Sequence, residues 1–455
     1  MRTDWIATPH FRPDHRGPRE RAFVPFADPA ESPSILQILR RCVDRHPDAI
    51  AIECDGKATS YERLWRDAMA LAGEIGRVGD DRGAVGILLP GDASYVAALF
   101  ACLLAGRLCV LLDEGYPASR TRQIVARTGL EMLICPAGFA PAGDWPPLRF
   151  LGVRPGVQPA GDGVEPTGAA LGLDEPAFIL CTSGSTGQPK AIAHSQRTML
   201  HWARTTHEAL HVRPDDRVLS LSSLSTLGGL TGLLNFVLAG VCVQMCDVKS
   251  VGLAGLLDTL ARRPVTVFRA APSLLKSLVR VPEAERSLSR LRAVQTYGEP
   301  LLKADLHAWQ PLLPAGCHVR TTYGSTEASG LSWFAGAGDD YDPIRVAAGV
   351  LMPDTLAAIV DDDGASCARG EVGELLIRSR YNALGEWVDG RIDTALFAPH
   401  DTDDGSRIFA THDLALCHPD GVFVVQGRLD RMAKINGQRL DPSEIEAVLR
   451  AQVGV

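Results

Sequence analysis

The feature that most limits what this chain can fold into is its rhythm. From about residue 33, amphipathic helical stretches alternate with short apolar runs. "SPSILQILRRCVDRHP" reads as a helix capped by Ser32 or Ser34, and "AIAIEC" as a strand. Then come a helix "SYERLWRDAMALAGEIG", a strand "GAVGILL", a helix "SYVAALFACLLAG", a strand "LCVLLD", a helix "SRTRQIVART" and a strand "LEMLIC". Strands that alternate with helices build a parallel sheet covered on both faces. Residues 136–176, rich in Gly and Pro, read as a surface connection. The alternation then resumes from "PAFILCT" to "LRAVQTYG" and predicts a second doubly wound sheet. After about residue 330, short runs such as "LAAIVDD", "GELLIRS" and "GVFVVQGR" predict a small antiparallel, β-barrel-like subdomain. The fold class is α/β. Residues 1–30, rich in Pro, Arg and Asp, read as an extended arm.

Composition narrows the function classes. A chain of 455 residues needs more than one core. A net charge of −8 leaves no broad basic footprint, so no nucleic-acid partner is expected. The 11 cysteines are scattered singly, as reduced thiols in a cytoplasmic protein would be. No apolar leader or membrane-spanning run is visible, so no membrane partner is expected either.

One loop asks for chemistry. "CTSGSTGQPK", Cys181 to Lys190, follows the apolar run "AFIL". Glycines let a backbone approach an anion, amide and hydroxyl groups donate to it, and a lysine adds charge. A Walker loop is excluded. Gln188 and Pro189 separate Gly187 from Lys190, and Ala191 follows where a metal-binding hydroxyl would stand. On composition alone an ordinary surface turn remains an alternative. Four further segments stand out: "YGEP" from Tyr297, "TTYGSTEAS" from Thr321, "THDLA" from Thr411 and "GRLDRMAKINGQRLDPSEIEAVL" from Gly427. The first two follow strands, where doubly wound sheets bind ligands. Each also has a plain reading as a turn, a helix cap or a solvated surface.

Together and in this order, "TSGSTGQPK", "YGSTE", "GELLIRS", "THDLA" and "GRLDRMAKINGQRLDPSEIE" resemble the adenylate-forming superfamily of acyl-CoA synthetases, luciferases and nonribosomal peptide synthetase adenylation domains. The likeness runs from about residue 35 to the end, and "FACLLAGRLCVLLDEGYPASRTRQIV" is most similar to the peptide synthetase branch. It implies a large core domain over residues 31–429. A hinge at Asp430 and the beginning of a small α+β domain over 430–455 would follow.

The resemblance implies ATP, Mg²⁺ and a carboxylic acid as reactants, with phosphopantetheine on a carrier protein as acceptor. Thr182, Ser183, Gly184, Ser185, Thr186 and Gly187 would hold the outer phosphates, beside Lys190. Thr326 would touch the α-phosphate and Glu327 would bind the metal. Gly298, Glu299, Pro300, Thr322, Tyr323, Gly324 and Ser325 would line the nucleotide site, with Tyr323 stacked on adenine. Asp413 and Arg428 would hold the ribose. Arg439 would join the catalytic set and Lys434 the ATP-binding set, in the strand pair after the hinge. The family's late lysine has no counterpart before Val455, so the chain as given is expected to bind its reactants but to adenylate poorly.

The acid pocket departs from the amino-acid-activating pattern. Where those members carry an aspartate for the α-ammonium, alignment on "LAG" places Leu227. A buried ammonium without a carboxylate partner is strongly disfavoured, so an aryl, keto, hydroxy or short acyl acid is expected. The same alignment puts Gly228, Thr231, Val294, Thr296, Thr322, Gly330 and Leu331 in the pocket, with Arg269 near it. Arg269 would either pair with a second acidic group on the substrate or simply brace a loop. A free coenzyme A ligase and a non-catalytic scaffold stand as alternative functions.

Overall fold

The computed structural model describes residues 3–22, 32–78, 83–141, 143–154, 170–182, 188–282, 284–336, 338–399 and 404–429, together with two short strands at 433–435 and 438–440. The phosphate-loop residues Ser183 to Gly187 and the hinge residue Asp430 lie outside the described residues.

Among the described residues the strands form four sheets. An eight-stranded sheet is built around Val85–Ile87, Cys109–Leu111, Met132–Pro136 and Pro176–Thr182, with Lys190–Ser195 antiparallel to the last. A nine-stranded sheet has a parallel centre of Ile50–Cys54, Cys242–Met245, Arg217–Ser220, Val267–Ala270, Ala293–Tyr297 and His318–Gly324. Thr355–Val360, Gly373–Ser379, Arg407–Cys417 and Phe423–Arg428 make the small antiparallel sheet. Ala433–Ile435 and Gln438–Leu440 pair as a hairpin.

The two large sheets are not divided between the two halves of the chain. Ile50–Cys54, with its hairpin partner Lys57–Ser60, leaves the other early strands and pairs in parallel with Cys242–Met245. Conversely, Pro176–Thr182 and Lys190–Ser195 join the early strands. Local periodicity sets a segment to be a strand, but pairing is decided by contacts far apart in sequence.

Helices fill both faces as their caps and apolar stripes direct. Ser34, not Ser32, caps Ile35–Arg45, and a full capping box with Gln37 closes its first turn. Ser195 caps Gln196–Leu210, and Thr226 caps Leu227–Val237. The last two helices touch through Asn235, which donates to the Thr206 hydroxyl at 3.0 Å. Both helices are largely buried, and Leu227–Val237 contributes to the largest apolar cluster through Leu230, Leu233, Leu234, Phe236 and Val237. The described part of the N-terminal segment is docked onto the body. Ile6 exchanges backbone hydrogen bonds with Ala357 at 2.7 and 3.1 Å, and Arg21 pairs with Asp215 and Asp216.

Candidate active site

The carboxyl ends of the parallel strands gather the candidate residues, as in other doubly wound sheets. Thr182 ends one strand, and its register partner Lys190 opens the next. The two therefore stand at the mouth of the loop that joins them. The Thr182 hydroxyl is buried and has no hydrogen-bond partner among the described residues. A donor held in that way suits an anion arriving from outside the protein.

The segment Gly324 to Ala328 is a tight turn. Ser325 Oγ accepts from the amides of Glu327 and Ala328 at 3.2 and 3.3 Å, and the Ser325 amide donates to Ala328 O at 2.7 Å. Gly324 is needed here, because a Cβ would lie 2.8 Å from Ala328 O. The turn leaves Thr326 half-buried and brings Glu327 to 4% exposure. No group of three or more His, Cys, Asp or Glu side chains forms a metal cage among the described residues. A single carboxylate fits Mg²⁺ that arrives on phosphates, since that ion keeps most of its ligands from water and substrate.

Tyr323, Asp413 and Arg428 meet between the nine-stranded and four-stranded sheets. The Tyr323 hydroxyl donates to Asp413 Oδ2 at 2.5 Å, and Arg428 donates to Asp413 Oδ1 at 3.2 Å. Burial, and then the charge of Asp413, push the Tyr323 phenol well above its ordinary range. The carboxylate is oriented from both sides while its backbone amide donates to the Thr411 hydroxyl.

The turn after Tyr297 has a second role. Gly298 takes φ of 79°, which glycine adopts without strain. Glu299 accepts from the Ser273 amide and hydroxyl, both at 3.0 Å, and so ties this turn to the helix Pro272–Leu278. Pro300 is exposed. Lys434 and Arg439 are register partners in the short hairpin.

A second cluster lies beneath the helix Leu227–Val237. Gly228 is packed so closely that a Cβ would come within 2.6 Å of the Tyr297 ring. The Tyr297 hydroxyl meets Ser222 Oγ at 2.7 Å. Arg269 runs under the helix and donates to Gln295 Oε1 at 3.0 Å, Gly228 O at 3.1 Å and Thr231 Oγ1 at 3.4 Å. Its guanidinium lies 4.9 Å from the Tyr297 ring centre. Arg269 is therefore not solvent-facing, and its bonds to Gly228 O and Thr231 Oγ1 brace the start of the helix Leu227–Val237. It is 3% exposed.

The register divides the residues expected in the pocket between different faces and clusters. Gln295 is the register partner of Arg269, so Gln295 and Tyr297 share its face of the sheet. Val294 and Thr296 point to the opposite face, and Val294 packs with Phe268 and Leu275 in a separate apolar cluster. Leu331 pairs with Tyr323 and is fully buried against the small sheet with Leu375 and Ile377. Gly330 abuts Ile377, where a Cβ would come within 2.6 Å. Leu227, Gly228, Thr231 and Arg269 are brought together, and Thr322 lies two strands further on. Gln295 and Arg320 escape the sequence reading, and Tyr297 enters it only as the start of "YGEP". Their signal is a strand parity, plus an arginine inside the buried run "HVRTTYG".

The profile of the AMP-binding enzyme family matches residues 39–387. The chain belongs to that family. It is accordingly an AMP-forming ligase, most like the adenylation domains of nonribosomal peptide synthetases. It is 27% identical over 449 residues to an isonitrile lipopeptide synthase of Streptomyces coeruleorubidus, an alignment that covers 96% of this chain and 30% of that protein. It is 29% identical over 438 residues to phosphinothricin tripeptide synthetase PhsC of Streptomyces viridochromogenes, covering 94% of this chain and 39% of that protein. The chain thus spans less than half the length of these relatives. Its fold is that of an artificially fused adenylation–PCP di-domain, NpsA-ThdA of Klebsiella oxytoca, with a TM-score of 0.80 at 21% identity, covering 93% of this chain and 84% of that one. Among the described residues, no helix is long and apolar enough to cross a membrane.

Proposed function

We propose that this AMP-forming ligase activates a carboxylic acid lacking an α-amine as an acyl adenylate and passes the acyl group to phosphopantetheine on a carrier protein. The observation that carries the substrate class is Leu227 at the first turn of its helix, half-buried beside Gly228 and Thr231. An apolar wall there offers an α-ammonium no partner, whereas an acid without the amine loses nothing.

In this reading the acid carboxylate attacks the α-phosphorus of ATP and pyrophosphate leaves. Lys190, Thr182 and the loop Ser183–Gly187 draw charge from the leaving phosphates, and Thr326 donates at the α-phosphate. Tyr323 carries the adenine, and Asp413 with Arg428 takes the ribose hydroxyls. Glu327 would hold Mg²⁺, which neutralises charge as it develops on the phosphate oxygens. Lys434, Arg439 and Asp430 belong to the hinge region that would reorient for thioester formation.

A screen of carboxylic acids by Mg·ATP-dependent binding to this chain, with pyrophosphate exchange on a longer chain that carries the family's late lysine, tests the reading. Keto, hydroxy, aryl or acyl acids should respond and common L-amino acids should not. Robust activation of any common L-amino acid sinks the substrate class. Transfer assays with a carrier protein and with free coenzyme A decide the acceptor.

A further inference from the structure

Beneath the pocket floor lies a second buried arginine whose charge the fold leaves unanswered. Ser220, Arg269, Gln295 and Arg320 occupy one row across four adjacent strands, register partner to register partner. Partners in parallel strands project to the same face, so both arginines rise from one side of the sheet, separated by Gln295. Arg320 is 0% exposed, and none of Nε, Nη1 and Nη2 has a hydrogen-bond partner. Among the described residues neither Arg269 nor Arg320 forms an ion pair. The Ser220 hydroxyl in the same row also lacks a partner. A Cβ at Gly232 would come within 2.3 Å of Arg269 Nη1 and 2.5 Å of Ser220 Oγ, so the helix above supplies glycine where these groups crowd.

Two guanidiniums without an anion are an expensive arrangement. Buried charges are paired or bind something charged, and a guanidinium presents five donors in a planar fork. Burial, and then the nearby charge of Arg269, push the Arg320 pKa down to about 9, which still leaves it protonated at neutral pH. Thr322 lies two residues along the same strand, on the same face and nearer the carboxyl end where ligands enter. The arginine row is thus one layer deeper than the pocket rim.

We infer that this row is the recognition site for a second carboxylate, so that the acid activated here is a short dicarboxylic acid whose distal carboxylate is held by Arg269 and Arg320. The inference rests on the proposed acid pocket and names its substrate class. Each guanidinium can give a carboxylate oxygen a charge-assisted hydrogen bond, with Gln295 and Ser220 completing the cradle. The remote pairing orients the near carboxylate toward the phosphates, as binding energy away from the reacting atoms can. A monoacid of equal length would leave both cations unanswered.

The test uses the chain in chloride-free buffer with Mg·ATP. Calorimetry and thermal shift compare succinate, glutarate and 2-oxoglutarate with butyrate, pentanoate and 2-oxopentanoate. At least one dicarboxylate should bind at least about thirtyfold more tightly than its matched monoacid. Arg320→Met and Arg269→Gln should each erase the difference while ATP binding persists. Without ligand, Arg320→Met should melt higher than the parent, because a lone buried cation has been removed; a purely structural arginine would give a lower melting temperature. Equal binding of diacids and monoacids overturns the inference. So does a dicarboxylate preference that survives in both variants, or chloride alone reproducing the stabilisation. If Arg320→Met does not fold, Arg269→Gln decides by the same comparison. A dicarboxylate that binds with the arginine dependence while Mg·ATP does not bind at all would sink the functional reading and leave this site standing.

Discussion

The hydroxyl of Tyr323 donates to the carboxylate of Asp413 at 2.5 Å, and that contact joins a strand of the nine-stranded sheet to one of the four-stranded sheet. The aromatic ring and the carboxylate proposed for adenine and ribose are therefore set against each other by the fold itself. Pre-organisation of this kind lowers the ordering cost of binding. Asp413→Ala should weaken ATP binding by about 1.5–3 kcal/mol, the range for a lost charged acceptor. Tyr323→Phe keeps the ring and should change affinity much less. Calorimetry checks both, and an Asp413→Ala chain that binds ATP like the parent removes Asp413 from the ribose site.

Glu327 is held almost out of solvent by the turn around Ser325. Glu327→Gln keeps its shape and removes its charge. Mg·ATP affinity should fall by at least about tenfold, on the order of 1.4 kcal/mol. The readout is a magnesium titration at fixed ATP, and an unchanged dependence on metal would take Glu327 out of the site.

Gly228 has no room for a side chain beneath Tyr297. Gly228→Ala should cost about 1–3 kcal/mol in urea denaturation, or displace Tyr297 and with it the packing over Arg269. An unchanged midpoint with unchanged acid binding would contradict the close packing described.

Buried histidines give the protein an acid-sensitive side. Burial pushes His194 and His201 down to about 3, and His207 down to about 4. In the unfolded chain these imidazoles titrate near 6.5, so between that pH and the folded values the unfolded state binds more protons. The stability they contribute is complete above about pH 6.5 and drains away as the pH falls. Melting temperature should therefore decline steadily from pH 7 to pH 5. His194→Gln should flatten that decline, whatever it does to stability at pH 7. A slope that does not change in the variant would show that His194 is not one of the groups responsible.

Much of this was legible in the sequence because it is local. The alternation of strand and helix, the cap at Ser34 and the turns around Gly324 and Gly298 each follow from neighbouring residues. The motifs "YGSTE" and "THDLA" led to Tyr323 and Asp413, which the structure brings into contact across 90 residues of chain. What escaped was parity and partnership. A shift of one residue separates Val294 from Gln295, and it decides whether a side chain faces apolar core or the arginine row. Nor could the sequence tell that Arg320 would be sealed inside without a partner. That depends on every strand and helix around it.

The exchange of strands between the two large sheets bears on how the chain comes to be folded at all. Ile50–Cys54 leaves the ribosome early, yet its parallel neighbour Cys242–Met245 is nearly two hundred residues behind it. At about 5–20 residues per second, that wait lasts on the order of ten seconds or more. During it, one edge of the nascent strand has only Lys57–Ser60 to pair with, and the other stays open. Cutting the gene within 155–169 should consequently yield two fragments of which neither folds by itself. Co-expressed, they should regain structure only by finding each other, and a cell that makes this protein must shelter an unfinished sheet until its second half is synthesised.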